Sequence, residues 1–143
     1  MKSDKSIRNI CLAAIKRRSS RPFDFQLTKI FESTTFDDIE DAFRITRVNK
    51  EELPISQTFI DENNWTLVTT RQIITSKQGI QESIQATEVK SWHWNDFKGY
   101  DKTSYTLGEL HRNGGSDFEV FIETGRASMV SIYAIMTLVG QLA

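Results

Sequence analysis

Residues 126–143 read RASMVSIYAIMTLVGQLA, and after Arg126 the stretch carries no charge. Twelve of its remaining seventeen residues are apolar, counting Ala and Tyr. Met129, Ile132, Met136 and Val139 recur at helical spacing, and Val130, Ala134, Leu138 and Leu142 nearly form a second stripe. A helix apolar over so much of its surface must be covered on more than one side. Ser128, Ser131, Thr137, Gly140 and Gln141 interrupt it, and it is short for a membrane span of about 20 residues. It is therefore expected to be buried in protein, with Asp at Met129 or Met136 placing an unpaired charge in the core.

Working back from Gly125, the chain changes to period-two patterning. Ile55–Asp61, Trp65–Thr69, Arg71–Thr75, Ile80–Thr87, Val89–Phe97, Ser104–Arg112 and Asp117–Thr124 are strand-like runs rich in β-branched and aromatic residues. Turn residues separate them: Glu62-Asn63-Asn64, Lys77-Gln78-Gly79, Lys98–Lys102 and Asn113-Gly114-Gly115. About seven strands at this spacing predict a meander that folds into a barrel or sandwich. The terminal helix is then its lid. One apolar face of that helix would meet the strands, and the other would meet the N-terminal residues or a second copy of the chain, making a homodimer.

The order of these pieces resembles the pleckstrin-homology (PH) superfold, in particular bacterial PH-like domains. The similarity rests on Trp65–Thr75 (WTLVTTRQIIT), on Ile84 leading into Glu88-Val89-x-x-Trp92, on Phe118–Ile122, and on the helix that follows. It covers residues 55–143 and implies a mainly β (α+β) fold: a bent seven-stranded barrel closed by a C-terminal α-helix. It also implies a scaffold for binding proteins or peptides, with no shared catalytic residues. Relatives that bind phosphoinositides carry Lys and Arg in the first strand–strand loop. Here that loop is Asp61-Glu62-Asn63-Asn64, which would repel a phosphorylated headgroup.

Residues 1–54 match no pattern of that family and are expected to form a partly helical extension of the same unit. Ile7, Ile10, Cys11, Ala14 and Ile15 make a helical stripe over residues 4–18, ended by Ser19-Ser20-Arg21-Pro22. Phe23, Phe25 and Leu27 alternate with polar residues, leaving strand and helical turn both open. Thr34 or Thr35 would cap a second helix whose inner face holds Phe36, Ile39, Phe43 and Ile45. Charge is divided unevenly: residues 1–22 carry net +6 and the rest −7, within an overall −1. Arg8, Lys16, Arg17, Arg18 and Arg21 could meet an anionic membrane surface. The plainer reading is a solvated amphipathic helix packed on the body through its stripe. The near-neutral total speaks against a nucleic-acid partner.

Trp92-His93-Trp94 places two indoles on one strand face and the imidazole on the other. The pair could be a platform for a ligand or partner, with His93 titrating beside it. Against that stands a barrel wall in which the indoles simply pack, the commoner use of large aromatics. His93, His111 and Cys11 show no metal-ligand spacing, Gly114-Gly115 reads as a hairpin turn, and no Ser sits in a nucleophile elbow. The expectation is a non-enzymatic binding module without cofactor or metal, regulatory or immunity-type, holding a protein or peptide. The alternatives are a peripheral membrane module using the basic helix, and a ligand-binding barrel or unrecognised enzyme. A lone Cys and no signal-peptide pattern suit the cytoplasm.

Overall fold

The computed structural model describes residues 2–19, 23–38 and 49–142. Helix α1 spans Asp4–Arg18. Ser3 caps it, its hydroxyl accepting from the Ser6 N–H at 3.2 Å. Asp4 in the first turn and Lys16, Arg17 and Arg18 in the last complement the helix dipole. Its buried face holds Ile7, Cys11, Leu12, Ala14 and Ile15.

The undecided stretch after it resolves as strand. β1 (Thr28–Ile30) pairs antiparallel with β2 (Pro54–Asp61), Lys29 opposite Gln57. Of the expected second helix, Phe36–Asp38 form one 3-10 turn, with Asp38 Oδ2 accepting from the Thr35 N–H at 3.1 Å. Ile39, Phe43 and Ile45 lie outside the described residues, as does Arg21.

From Pro54 the chain is an antiparallel meander: β3 (Asn64–Thr69), β4 (Gln72–Lys77), β5 (Ile80–Gln85), β6 (Ser91–His93), β7 (Tyr105–His111) and β8 (Phe118–Glu123). Helix α2 (Ser128–Leu142) follows. The fold is mixed α+β, mostly antiparallel sheet with a C-terminal helix. The expected seven-stranded closed barrel needs correcting. The described residues form eight strands in two sheets, β1-β2-β3-β4-β5 and β6-β7-β8, with no ladder between them. The extra strand is β1, supplied by the N-terminal extension. The run expected from Val89 to Phe97 shrinks to β6, because Ala86–Glu88 form a 3-10 turn and Asn95 takes a left-handed φ of 56°.

Side chains do what a closing ladder would have done. The Phe121 N–H on β8 donates to Thr66 Oγ1 on β3 at 2.8 Å, and Thr66 Oγ1 lies 2.9 Å from Thr75 Oγ1, all buried. The main core lies between the sheets and under both helices, joining Ile7, Cys11 and Ile15 to Val68, Ile73, Ile84, Leu110, Val120, Ile122, Ile135 and Leu138. A smaller core covers the other face of the first sheet, where Phe31 meets Trp65, Leu67 and Ile74, with Phe36 and Phe59 at its rim. β3 is thus buried on both faces, the outer one beneath Phe31 of the extension.

The buried residues of α2 are Ser128, Val130, Ser131, Ile132, Ala134, Ile135 and Leu138, whereas Met129 and Met136 are only half-buried. The apolar surplus of α2 meets α1, and both helices share the main core. Across that contact Arg18 lies over the Tyr133 ring, 5.1 Å from its centroid.

Candidate functional site

Trp92 and Trp94 share a face, as their alternation predicts. Their rings stack with centroids 6.0 Å apart and planes 24° apart. Both are half-buried and pack on the main core, while His93 is exposed. Gly108 on β7 makes room for Trp94: a Cβ there would lie 3.2 Å from the indole Cε3 and 2.7 Å from Ile122 Cδ1. Much of the indole pair is therefore spent on packing.

The basic residues of α1 do not act as one face. Arg8 corrects its expected place among surface cations: it is 7% exposed, and its Nη1 donates to the Thr34 carbonyl at 2.6 Å and to the Pro54 carbonyl at 3.2 Å. Burial lowers its pKa from the ordinary arginine value. Lys16 pairs with Glu32, and Arg18 covers Tyr133. Lys5 and Arg17 are exposed. The apolar stripe needed to enter a lipid interface is held in the core, through Ile7, Cys11, Leu12 and Ile15. Removing residues 1–22 would open that core, so the deletion does not isolate the charges.

Cys11 is fully buried, and burial pushes its thiol up to about 12, which leaves no reactive thiolate. Among the described residues no three His, Cys, Asp or Glu side chains gather closely enough to hold a metal ion. No described helix is long and apolar enough to cross a membrane. In the acidic loop, Asp61 accepts from the Asn63 N–H at 2.8 Å and from Asn64 Nδ2 at 2.9 Å, and these bonds hold its carboxyl below the ordinary value.

A buried polar seam joins α1 to the β3–β4 turn. Asp4 Oδ1 accepts from the Thr70 hydroxyl at 2.5 Å and Arg71 Nε at 2.9 Å, and Oδ2 accepts from Arg71 Nη2 at 2.7 Å. Hydrogen bonding to Arg71 holds the Asp4 carboxyl below its ordinary 3.8, overcoming burial, which acts to raise it. A depressed folded pKa gives stability that is present above the unfolded value and lost as pH falls through the folded one. Because Arg71 remains 36% exposed, solvent screens the pair. Asp4→Asn is expected to cost about 1–2 kcal/mol at pH 7 and clearly less at pH 2. Urea unfolding of parent and variant at both pH values checks this; an equal gap at pH 2 would show that titration of Asp4 is not its source.

The feature invisible in the sequence is the outer side of β5, which ends the five-stranded sheet among the described residues. Ile80, Gln81, Glu82 and Ser83 are consecutive exposed residues on the last strand of the five-stranded sheet, and Ile80 is 68% exposed. Beside them the sheets diverge around a cleft of about 260 Å³, lined by Thr75, Lys77, Ile80, Glu82, Phe118 and Glu119. Lys77 reaches across to Glu119 at 2.5 Å, and His111 Nδ1 lies 2.8 Å from Asp117 Oδ1 at its margin. No family model, curated protein or solved structure matches the chain.

Proposed function

We propose that the chain is a non-enzymatic module, PH-like in plan, that binds a protein or peptide partner at the edge of its larger sheet. The run of strands β2 to β8 followed by a C-terminal helix supports that plan, with β1 and α1 as additions from the extension. The observation that carries the binding reading is β5 itself: an edge strand exposed over four consecutive residues, with a bare isoleucine at the lip of a cleft. Edge strands with these properties are templates for pairing with another chain.

Photo-crosslinking in the native host tests this. p-Benzoylphenylalanine at Ile80 is expected to yield a discrete protein adduct, and the same residue at Tyr100, exposed in the 98–102 loop, is not. Adducts absent at Ile80, or equal at both positions, would overturn the reading.

A further inference from the structure

We infer that the outward face shared by α1 and α2 docks an amphipathic helix of a partner protein, apolar along its middle and bearing Asp or Glu at both ends. This surface is separate from the edge of β5 and stands on its own observations.

Two contacts fix the pair of helices. Lys2, just before α1, donates to Gln141 near the end of α2, and Arg18, which ends α1, lies over the Tyr133 ring. The helices therefore run antiparallel, with their inward rows held in the main core. What they turn outward follows from the helical period. On α2 the row is Met129, Tyr133, Met136 and Gly140, three half-buried side chains and an exposed glycine. On α1, Ile10, Ala14 and Arg18 stand four residues apart, so the side on which Arg18 reaches Tyr133 also carries the half-buried Ile10. Gly140 adds a separate observation: a Cβ built there would meet nothing within 4 Å. Glycine weakens a helix relative to alanine, and no crowding within the chain requires it here. It leaves the backbone of α2 bare, so that a second helix can approach closely.

Charge identifies the occupant. Neither helix offers an exposed carboxylate: α2 has no charged residue, and Asp4 is buried against Arg71. Arg8 is buried, and Lys5 and Lys16 stand on the far side of α1, where Lys16 meets Glu32. That leaves Lys2 at one end of the face and Arg17 and Arg18 at the other, without an acidic partner among the described residues. The 15-residue α1 separates them by about 22 Å. A partner helix of about four turns spans this distance. Acids at its two ends then meet the cations, while its middle covers Ile10, Tyr133 and Met136.

A lipid surface and a second copy fit less well. Entering a bilayer interface takes apolar side chains that stand clear of the protein. Among the described residues the exposed large ones are Ile80, Tyr100 and Tyr105, none of them on a helix. A twofold copy would set the same cations against one another with no carboxylate between them.

The test uses the full ¹⁵N-labelled chain and the blocked peptide Glu-Glu-Ala-Leu-Gln-Ala-Leu-Leu-Gln-Ala-Leu-Ala-Gln-Ala-Glu-Glu. A peptide with Lys in place of every Glu is the comparison, and each has one end that suits its helix dipole and one that does not. Shifts are expected at Ile10, Tyr133, Met136 and Gly140, with the Glu peptide at least about tenfold tighter than the Lys peptide. Lys2→Glu combined with Arg17→Glu should reverse the preference. Gly140→Gln should melt no lower than the parent, since glutamine is the better helix former, yet bind the Glu peptide at least about tenfold more weakly. Equal affinities, shifts centred elsewhere, or a Gly140→Gln variant that binds like the parent would overturn the inference. So would flotation of the chain with vesicles of phosphatidylserine and phosphatidylcholine that the double Glu variant abolishes, which would assign the face to lipid. A parent chain that sediments as a dimer and becomes monomeric with Gly140→Gln would overturn it as well. The Ile80 crosslink reports on the sheet edge alone, so the two proposals stand or fall separately.

Discussion

Leu138→Asp is expected to leave the chain unfolded in water at 25 °C. Leu138 has no exposed surface and sits where α2 meets both α1 and the strands, in one cluster with Ile7, Ile15, Val68 and Ile135. Removing the leucine side chain alone costs about 2–5 kcal/mol. Leaving a carboxylate there without a partner adds several kcal/mol more, or forces its protonation. Set against the roughly 5–15 kcal/mol that holds a domain of this size, the sum removes most or all of its stability. Met136→Asp is the control. Met136 is half-buried, so its carboxylate can reach water, and the expected loss is about 1–2 kcal/mol. Far-UV circular dichroism and urea titration distinguish the two. A cooperative, parent-like transition in Leu138→Asp would mean that α2 does not complete the core.

That contrast also marks how far the sequence could be read. Strands β2 to β5, β7 and β8 follow the alternation and turn residues closely, since both are local. The terminal helix is equally legible, but its inner row is not. Apolar residues on nearly every side leave Met129 and Met136 looking as central as Val130 and Leu138, and only the positions of α1 and the sheets decide between them. Arg8 fails for a similar reason. A charge on a helix reads as surface, whereas the carbonyls that accept it belong to Thr34 and Pro54, far along the chain. The indoles of Trp92 and Trp94 share the face their spacing predicts, yet the room that Gly108 makes for Trp94 exists only once β6 and β7 pair. The candidate site was the least legible part. IQESIQ is an ordinary amphipathic strand, and nothing local shows that it ends a sheet or that the second sheet turns away from it there.

Glu52→Ala is expected to cost about 3 kcal/mol, a large loss from a residue in the extension. Glu52 is 3% exposed. Its Oε1 accepts from the Asn49 N–H at 3.0 Å, and its Oε2 accepts from Gln72 Nε2 at 2.9 Å and from the Thr69 hydroxyl. Next to it the Leu53 N–H donates to Thr70 Oγ1 at 3.0 Å, and the Thr70 N–H returns to the Leu53 carbonyl at 2.9 Å. Alanine would take an acceptor from the buried Gln72 amide, from the Thr69 hydroxyl, which keeps the Gln72 carbonyl at 3.1 Å, and from the N–H of the exposed Asn49; a buried donor left unmade costs about 1–3 kcal/mol, and the carboxylate's lost packing adds to it. Glu52→Gln keeps the shape but turns one acceptor into a donor facing donors, so about half the loss is expected. Urea unfolding measures both variants, and a Glu52→Ala chain as stable as the parent would show that this contact does not hold the turn. The consequence for the proposed site is direct. β4 is the strand on which β5 is built, and Gln72, which opens β4, is fixed by Glu52. Glu52→Ala should therefore speed amide exchange along β4 and β5 more than along β7 and β8.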